Sequence, residues 1–218
     1  MIVHDLGRIR YGDALALQRE AVKRLQEGDG GEILYLLEHE HVLTLGRNAT
    51  LGSLVASKAL LATKGVELVE TDRGGDITYH GPGQLVGYPI IALEEGRRDI
   101  RRYVHDVEEA LIRTLERFGI EGRRDPKNRG VWVEDRKIAS VGIRISRWVT
   151  MHGFALNVDT DLSYFSLIVP CGIAGCRMTT MSLETGRPMD MQSVRGVFIE
   201  SFCRVFDRSV VEETRAHG

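Results

Sequence analysis

Cysteine is scarce in this 218-residue chain, which has only three, at 171, 176 and 203. So few, and an odd number, exclude a disulfide framework and suit a reducing compartment. Lysine is also sparse, standing only at 23, 58, 64, 127 and 137, while arginine supplies most of the positive charge. No apolar run reaches the ~18 residues of a transmembrane helix. The amino end, Met1-Ile2-Val3-His4-Asp5, has neither the basic region nor the apolar core of a signal peptide. A cytoplasmic protein without a membrane partner is therefore expected. The formal net charge of -2 argues against nucleic-acid binding. There is no internal repeat, low-complexity tract or convincing linker. With a hydrophobic share of 43%, the chain reads as one domain over 1–218 with ample core, ending in a polar tail over 207–218 expected to fray.

A metal site is not expected either. Cys171 and Cys176 are separated by four residues, whereas zinc sites use tighter, repeated pairs. Cys203 lies in the apolar stripe Phe202-Cys203-Arg204-Val205-Phe206 and reads as a buried small hydrophobe. His39 and His41 flank Glu40 between two strands, which reads as a turn facing solvent.

Against these absences stands Arg73-Gly74-Gly75-Asp76-Ile77-Thr78-Tyr79-His80-Gly81-Pro82-Gly83-Gln84. Its β-branched and aromatic residues sit between glycine pairs, as in a short strand held between two tight bends. Glycine lets backbone approach a ligand closely. Thr78 and His80, two apart on a strand, share one face. They form either a hydrogen-bonding wall of a site or an anchor for the loop.

Two further residues invite chemistry. Cys171, in Val169-Pro170-Cys171-Gly172, sits on a Pro/Gly bend, where a thiol meets whatever fills the adjacent cleft. Lys137 opens an apolar strand after a turn. Lysine changes its pKa readily on desolvation and arginine does not, so Lys137 reads as a general base in a pocket or as a solvated hairpin lysine.

The periodicity predicts a helix capped by Asp13 and carried inward by Leu17, Ala21 and Leu25 until Gly28. Strands follow over 33–37 and 42–45, a short helix over 57–65, and strands near 66–69, 77–79 and 85–91. A long amphipathic helix covers 99–118, strands cover 131–133, 137–145 and 149–158, and a last helix covers 190–206. Adjacent strand runs with few intervening helices favour an α+β fold with a mixed, largely antiparallel sheet flanked by helices.

Taken in order, RGGDITYHGPGQ at 73–84, KIASVG at 137–142, HGFALNV at 152–158 and PCGI at 170–173 resemble the lipoate-biosynthesis octanoyltransferases. These are the octanoyl-acyl carrier protein:protein N-octanoyltransferases, and the resemblance runs from about Gly7 to Phe206. Lipoate and biotin protein ligases are looser relatives with the same general fold but without the P-C-G cysteine. The resemblance implies that Cys171 is the acyl-accepting nucleophile and Lys137 its partner. It places Arg73, Gly74, Gly75, Asp76, Ile77, Thr78, Tyr79 and His80 along the acyl site. Ser140, Val141 and Gly142 with Gly153, Phe154 and Ala155 would complete its walls, and His152 would stand behind them. Phe154 departs from the more frequent Leu. No cofactor is implied. The donor would be octanoyl-acyl carrier protein, and the acceptors lipoyl domains of 2-oxoacid dehydrogenase E2 subunits and the glycine cleavage H protein. Arginines at 97, 98, 101, 102, 123, 124, 129, 144 and 147 would steer an acidic carrier, or simply pair with neighbouring carboxylates. An ATP-dependent lipoate or biotin protein ligase, which needs no Cys171, and a cysteine thioesterase are the alternative activities. A non-catalytic binding module would need neither the thiol nor the strand lysine.

Overall fold

The computed structural model describes residues 1–50, 52–126, 128–169 and 176–215. Cys171 and the rest of 170–175 lie outside them, as do Leu51, Lys127 and 216–218. The described elements are β1 (Ile2–Ile9), α1 (Tyr11–Glu27), β2 (Ile33–His39), β3 (Val42–Leu45), α2 (Lys58–Thr63), β4 (Glu67–Glu70), β5 (Ile77–His80) and β6 (Gln84–Ile90). They continue with α3 (Ile100–Glu116), β7 (Arg123–Arg124), β8 (Val131–Val133), β9 (Arg136–Ser146) and β10 (Val149–Asn157). Last come β11 (Arg177–Met178), α4 (Met181–Thr185), α5 (Met191–Phe206) and β12 (Glu212–Arg215).

The large sheet runs β12-β1-β2-β6-β10-β9-β8-β7, with β11 pairing on β9, and a small sheet runs β4-β3-β5. From β2 to β7 every neighbour is antiparallel, while β12, β1 and β2 are mutually parallel. This is the mixed, largely antiparallel α+β arrangement expected.

Helices α3 and α5 cover one face of the large sheet. In α3, Tyr103, Val104, Val107, Ala110, Leu111 and Leu115 recur at helical spacing and are buried. Asp99 starts this helix by accepting bonds from the Arg101 and Arg102 amides. Phe198, Phe202 and Phe206 of α5 stack in a row beneath it. Each such ring removed from water contributes about 1.5–3 kcal/mol. The other face carries α1. Its N-cap is Arg10 rather than Asp13, so the inward stripe is Tyr11, Ala14, Leu15, Gln18 and Ala21. Leu17, expected inside, is 40% exposed because at 100° per residue it falls outside the stripe of 11, 14, 15, 18 and 21. The small sheet packs Leu43, Ile77 and Tyr79 on Phe165 and Leu167.

Four strands were not anticipated, the two-residue β7 and β11 and the longer β1 and β12. β1 was left unread at the amino end, and β12 lies in the segment 207–218 read as a fraying tail. The polar sequence of β12 offers little to bury; its register on β1, Ile2 opposite Glu212, holds it instead.

The central ladder parts at one place. β6 and β10 pair from Asn157↔Gln84 to Phe154↔Gly87, and pairing resumes only at Ala92↔Val149. Between these points lies Pro89, which has no amide to donate. Opposite it, His152 adopts φ 59, in the left-handed region, and its amide donates to Gln18 Oε1 of α1 at 2.8 Å. Gly153 fits there because a Cβ would stand 2.1 Å from the Gly87 carbonyl oxygen. The interrupted ladder opens space on the α1 side of the sheet.

Candidate active site

The glycine-rich segment is fixed by its own arginine. Arg73 is buried and donates from Nε to Thr44 Oγ1 at 3.1 Å, and from Nη2 to Thr44 O at 2.6 Å and Asp76 O at 2.8 Å. Nη1 reaches Gly74 O at 3.1 Å. The planar fork thus stitches the loop to β3, a task for which lysine lacks the geometry. The Gly74 amide donates to Ile143 O of β9 at 2.9 Å, which joins the small sheet to the large one.

Across this junction runs a cleft of about 560 Å³, bordered by Gly74, Gly75, Asp76 and Thr78 on one side and by Lys137, Ser140, Val141 and Gly142 on the other. The volume lies within the ~300–1,000 Å³ of small-molecule sites. Lys137 is 3% exposed, and its Nζ stands 5.4 Å from the centroid of Trp132, a cation–π contact. β11 returns the chain beside it: Met178 is registered opposite Lys137, and the Thr179 amide donates to Lys137 O at 2.9 Å.

Thr78, Ser140 and Gly142 also border a second, inner chamber of about 30 Å³, where Gly153, Phe154 and Ala155 complete the sheet wall. Four rings line it: Tyr11, His80, Tyr88 and His152. Each ring is anchored through one polar atom to a different residue. Tyr11 donates to Thr71 Oγ1 at 3.1 Å and Tyr88 to His39 Nε2 at 2.7 Å. His80 Nδ1 donates to Gln84 Oε1 at 2.8 Å, since the Gln84 amide nitrogen is itself a donor to Tyr79 O and Asn157 Oδ1. His152 Nε2 donates to Asp72 Oδ1 at 2.7 Å, and Arg144 holds the other Asp72 oxygen. His152 Nδ1 is buried without a hydrogen-bond partner.

Burial keeps these imidazoles neutral. It pushes His39 down to about 4 and, helped by the guanidiniums of Arg73, Arg144, Arg19 and Arg47, His152 down to about 3. His80 is held well below its ordinary value by burial and by the neighbouring His39. Burial raises the Tyr88 and Tyr11 hydroxyls, so both remain protonated.

The expected site residues separate by strand alternation. Thr78 and His80 face the chamber, whereas Ile77 and Tyr79 turn into the hydrophobic cluster around Phe165 and border neither space. Phe154 touches the chamber, but its ring lies over Gly87 and 4.4 Å from Phe198. Tyr11 and Tyr88 were missed by sequence reasoning. Nothing local marks them, because the first lies on a helix start and the second in an all-buried strand. His39 is not in a solvent-facing turn: it is fully buried and donates to Ile9 O at 2.9 Å. His41 stacks on Tyr164 at 4.4 Å. Several arginines are paired: Arg124 with Glu109, Arg144 with Asp72, Arg102 with Asp106. Arg129 is exposed at the cleft.

The architecture is that of lipoate protein ligases. The chain superposes on a lipoate-protein ligase A bound with ATP with a TM-score of 0.81 at 18% identity, over 100% of this chain and 90% of that one. Residues 10–203 match the lipoyl protein ligase A/B catalytic domain. An octanoyltransferase of Solibacter usitatus is 49% identical over 94% of this chain and 92% of its own length. One of Myxococcus xanthus is 50% identical over 96% of this chain, which spans 60% of that longer relative. The chain therefore belongs to the lipoyl protein ligase A/B catalytic-domain family and, within it, to the octanoyltransferases.

Proposed function

We propose that the protein moves an octanoyl group from a carrier-protein thioester to a lysine amine of a lipoyl domain, through a thioester on Cys171. The observation that carries this reading is the placement of Lys137 on a cleft that shares Thr78, Ser140 and Gly142 with a small, mostly apolar chamber. Cys171 and Cys176 are five chain steps apart, a reach of at most ~17 Å. Cys176 in turn precedes by two residues the Met178 registered opposite Lys137.

In the first step Cys171 Sγ attacks the donor's carbonyl carbon, the donor's carbon–sulfur bond breaks, and the carrier thiol leaves with the proton that Cys171 gives up. A thiol of ordinary pKa ~8.5 is only a few per cent thiolate at neutral pH. A Lys137 ammonium brought against it in the reacting complex would favour the charged sulfur. In the second step the acceptor's neutral lysine nitrogen attacks the enzyme thioester, an amide bond forms, and the Cys171 sulfur leaves. Lys137 relays the proton lost by the nitrogen to that sulfur. One thioester is exchanged for another and then for a more stable amide, so no nucleotide is required. Donor and acceptors are octanoyl-acyl carrier protein and the lipoyl domains of 2-oxoacid dehydrogenase E2 subunits and the glycine cleavage H protein, in the cytoplasm. The exposed Arg129 at the cleft mouth suits an acidic donor.

The test is the intact mass of the protein after mixing with octanoyl-acyl carrier protein, with Cys171→Ala and Lys137→Met in parallel. Wild type is expected to gain a hydroxylamine-labile octanoyl group that a lipoyl domain then removes. Cys171→Ala should gain none, and Lys137→Met should acylate at least ~10²-fold more slowly. Acylation of the acceptor by Cys171→Ala, supplied with ATP and free acid, would establish a ligase instead.

A further inference from the structure

The inner chamber has more definite walls than a simple extension of the cleft needs. At about 30 Å³ it has room for one methyl-sized group or one water. Seven of its lining side chains carry polar atoms, the four rings together with Arg73, Thr78 and Ser140, yet its surface is mostly apolar. The hydrogen bonds explain why: the hydroxyls of Tyr11 and Tyr88, His80 Nδ1 and His152 Nε2 are each engaged by Thr71, His39, Gln84 and Asp72. Rings presented this way offer carbon to the chamber, and their anchors prevent them from rotating aside. Ala155 lines the chamber with them, and its neighbours on the same face include Val86 and Tyr88. A larger residue at 155 would occupy the space that the parted ladder leaves.

The dimensions match a measured chain. Ser140 and Gly142 border both cavities and lie about 10 and 17 Å along β9 from Lys137. An extended eight-carbon acyl chain is roughly 9 Å long. A chain with its carbonyl near Lys137 and its tail along Ser140 therefore brings its terminal methyl to the chamber, where the rings stop it.

We infer that Tyr88 and Ala155 determine acyl-chain length, Tyr88 as the fixed end wall and Ala155 as the small residue that leaves room for the last carbon. This inference rests on the octanoyl-transfer reading and names the feature of that site that selects its substrate. A filled chamber should exclude the longest accepted chain, and a removed wall should admit longer ones. Each methylene taken out of water is worth about fourfold in affinity.

The experiment compares kcat/KM for hexanoyl, octanoyl, decanoyl and dodecanoyl carrier-protein donors in wild type, Ala155→Ile, Tyr88→Leu and Tyr88→Phe. Ala155→Ile adds three carbons to a space for one, so its octanoyl-to-hexanoyl ratio should fall at least tenfold. Tyr88→Leu should raise the decanoyl-to-octanoyl ratio about fourfold, while Tyr88→Phe, which keeps the ring, should preserve the wild-type profile. Equal loss across all chain lengths in Ala155→Ile would overturn the inference, and this variant decides alone if Tyr88→Leu does not fold. Absence of transfer by wild type with every donor would instead overturn the proposed function on which it rests.

Discussion

Acid should unfold this protein through its imidazoles before its carboxylates take part. His39, His80 and His152 are all buried and neutral, two of them pushed down to about 4 and about 3 and the third held well below its ordinary value. In the unfolded chain each returns to about 6.5. A lowered histidine pKa means that the unfolded state binds the proton first, so stability is complete above pH 6.5 and declines as pH falls below it. From pH 7.5 to 5, His39 and His152 each remove about 2 kcal/mol, about 4 kcal/mol together, and His80 acts in the same direction. That is a large share of the 5–15 kcal/mol typical of a domain. Most carboxylates are still ionised at pH 5 and contribute little to this interval. Urea unfolding followed by circular dichroism at half-unit pH steps would measure the slope. His39→Gln keeps a donor and an acceptor for Ile9 and Tyr88 but cannot titrate, so its decline over the same interval should be smaller by about 2 kcal/mol. An unchanged pH dependence in His39→Gln would refute the assignment of a neutral, buried ring at position 39.

Two other substitutions test the framework. Arg195 of α5 donates from Nη1 to both Asp5 carboxylate oxygens, at 2.5 and 2.6 Å, and the pair is buried. Arg195→Leu should cost about 3–5 kcal/mol in urea unfolding by stranding the carboxylate, and adding Asp5→Leu should restore most of it. Gly83 has φ +77, and a Cβ there would stand 2.4 Å from Asp159 O. Gly83→Ala is expected to lower stability by about 2 kcal/mol or more, since the left-handed backbone alone costs 1–2 kcal/mol; calorimetry would read this as a lower melting temperature.

Long periodic elements were legible in the chain. α3 and α5 begin after the aspartates that cap them, and β3 and β8 have the limits their residue patterns indicate. What escaped reading depends on partners distant in sequence. β12 is polar and exists because β1 pairs with it. His39 looked like a turn residue because its partners, Ile9 and Tyr88, are 30 and 49 positions away. The same holds for the site. The motif around Arg73 and His80 announced a ligand loop, but the chamber's far wall comes from Tyr11 and Tyr88, whose roles follow from where β6 and β10 part. Strand alternation could have separated Thr78 and His80 from Ile77 and Tyr79, because that face assignment needs only the two-residue period.

The indole beneath Lys137 makes the molecule its own spectroscopic probe. The chain has two tryptophans, and Trp148 lies at the other end of β9, in the turn after Ser146 and close to Arg98. Trp132 therefore emits from beside the Lys137 side chain that borders the cleft. With Trp148 replaced by Phe, every event that adds or removes a proton at Lys137, or brings a thiolate to it, should be visible as a change in emission without any label.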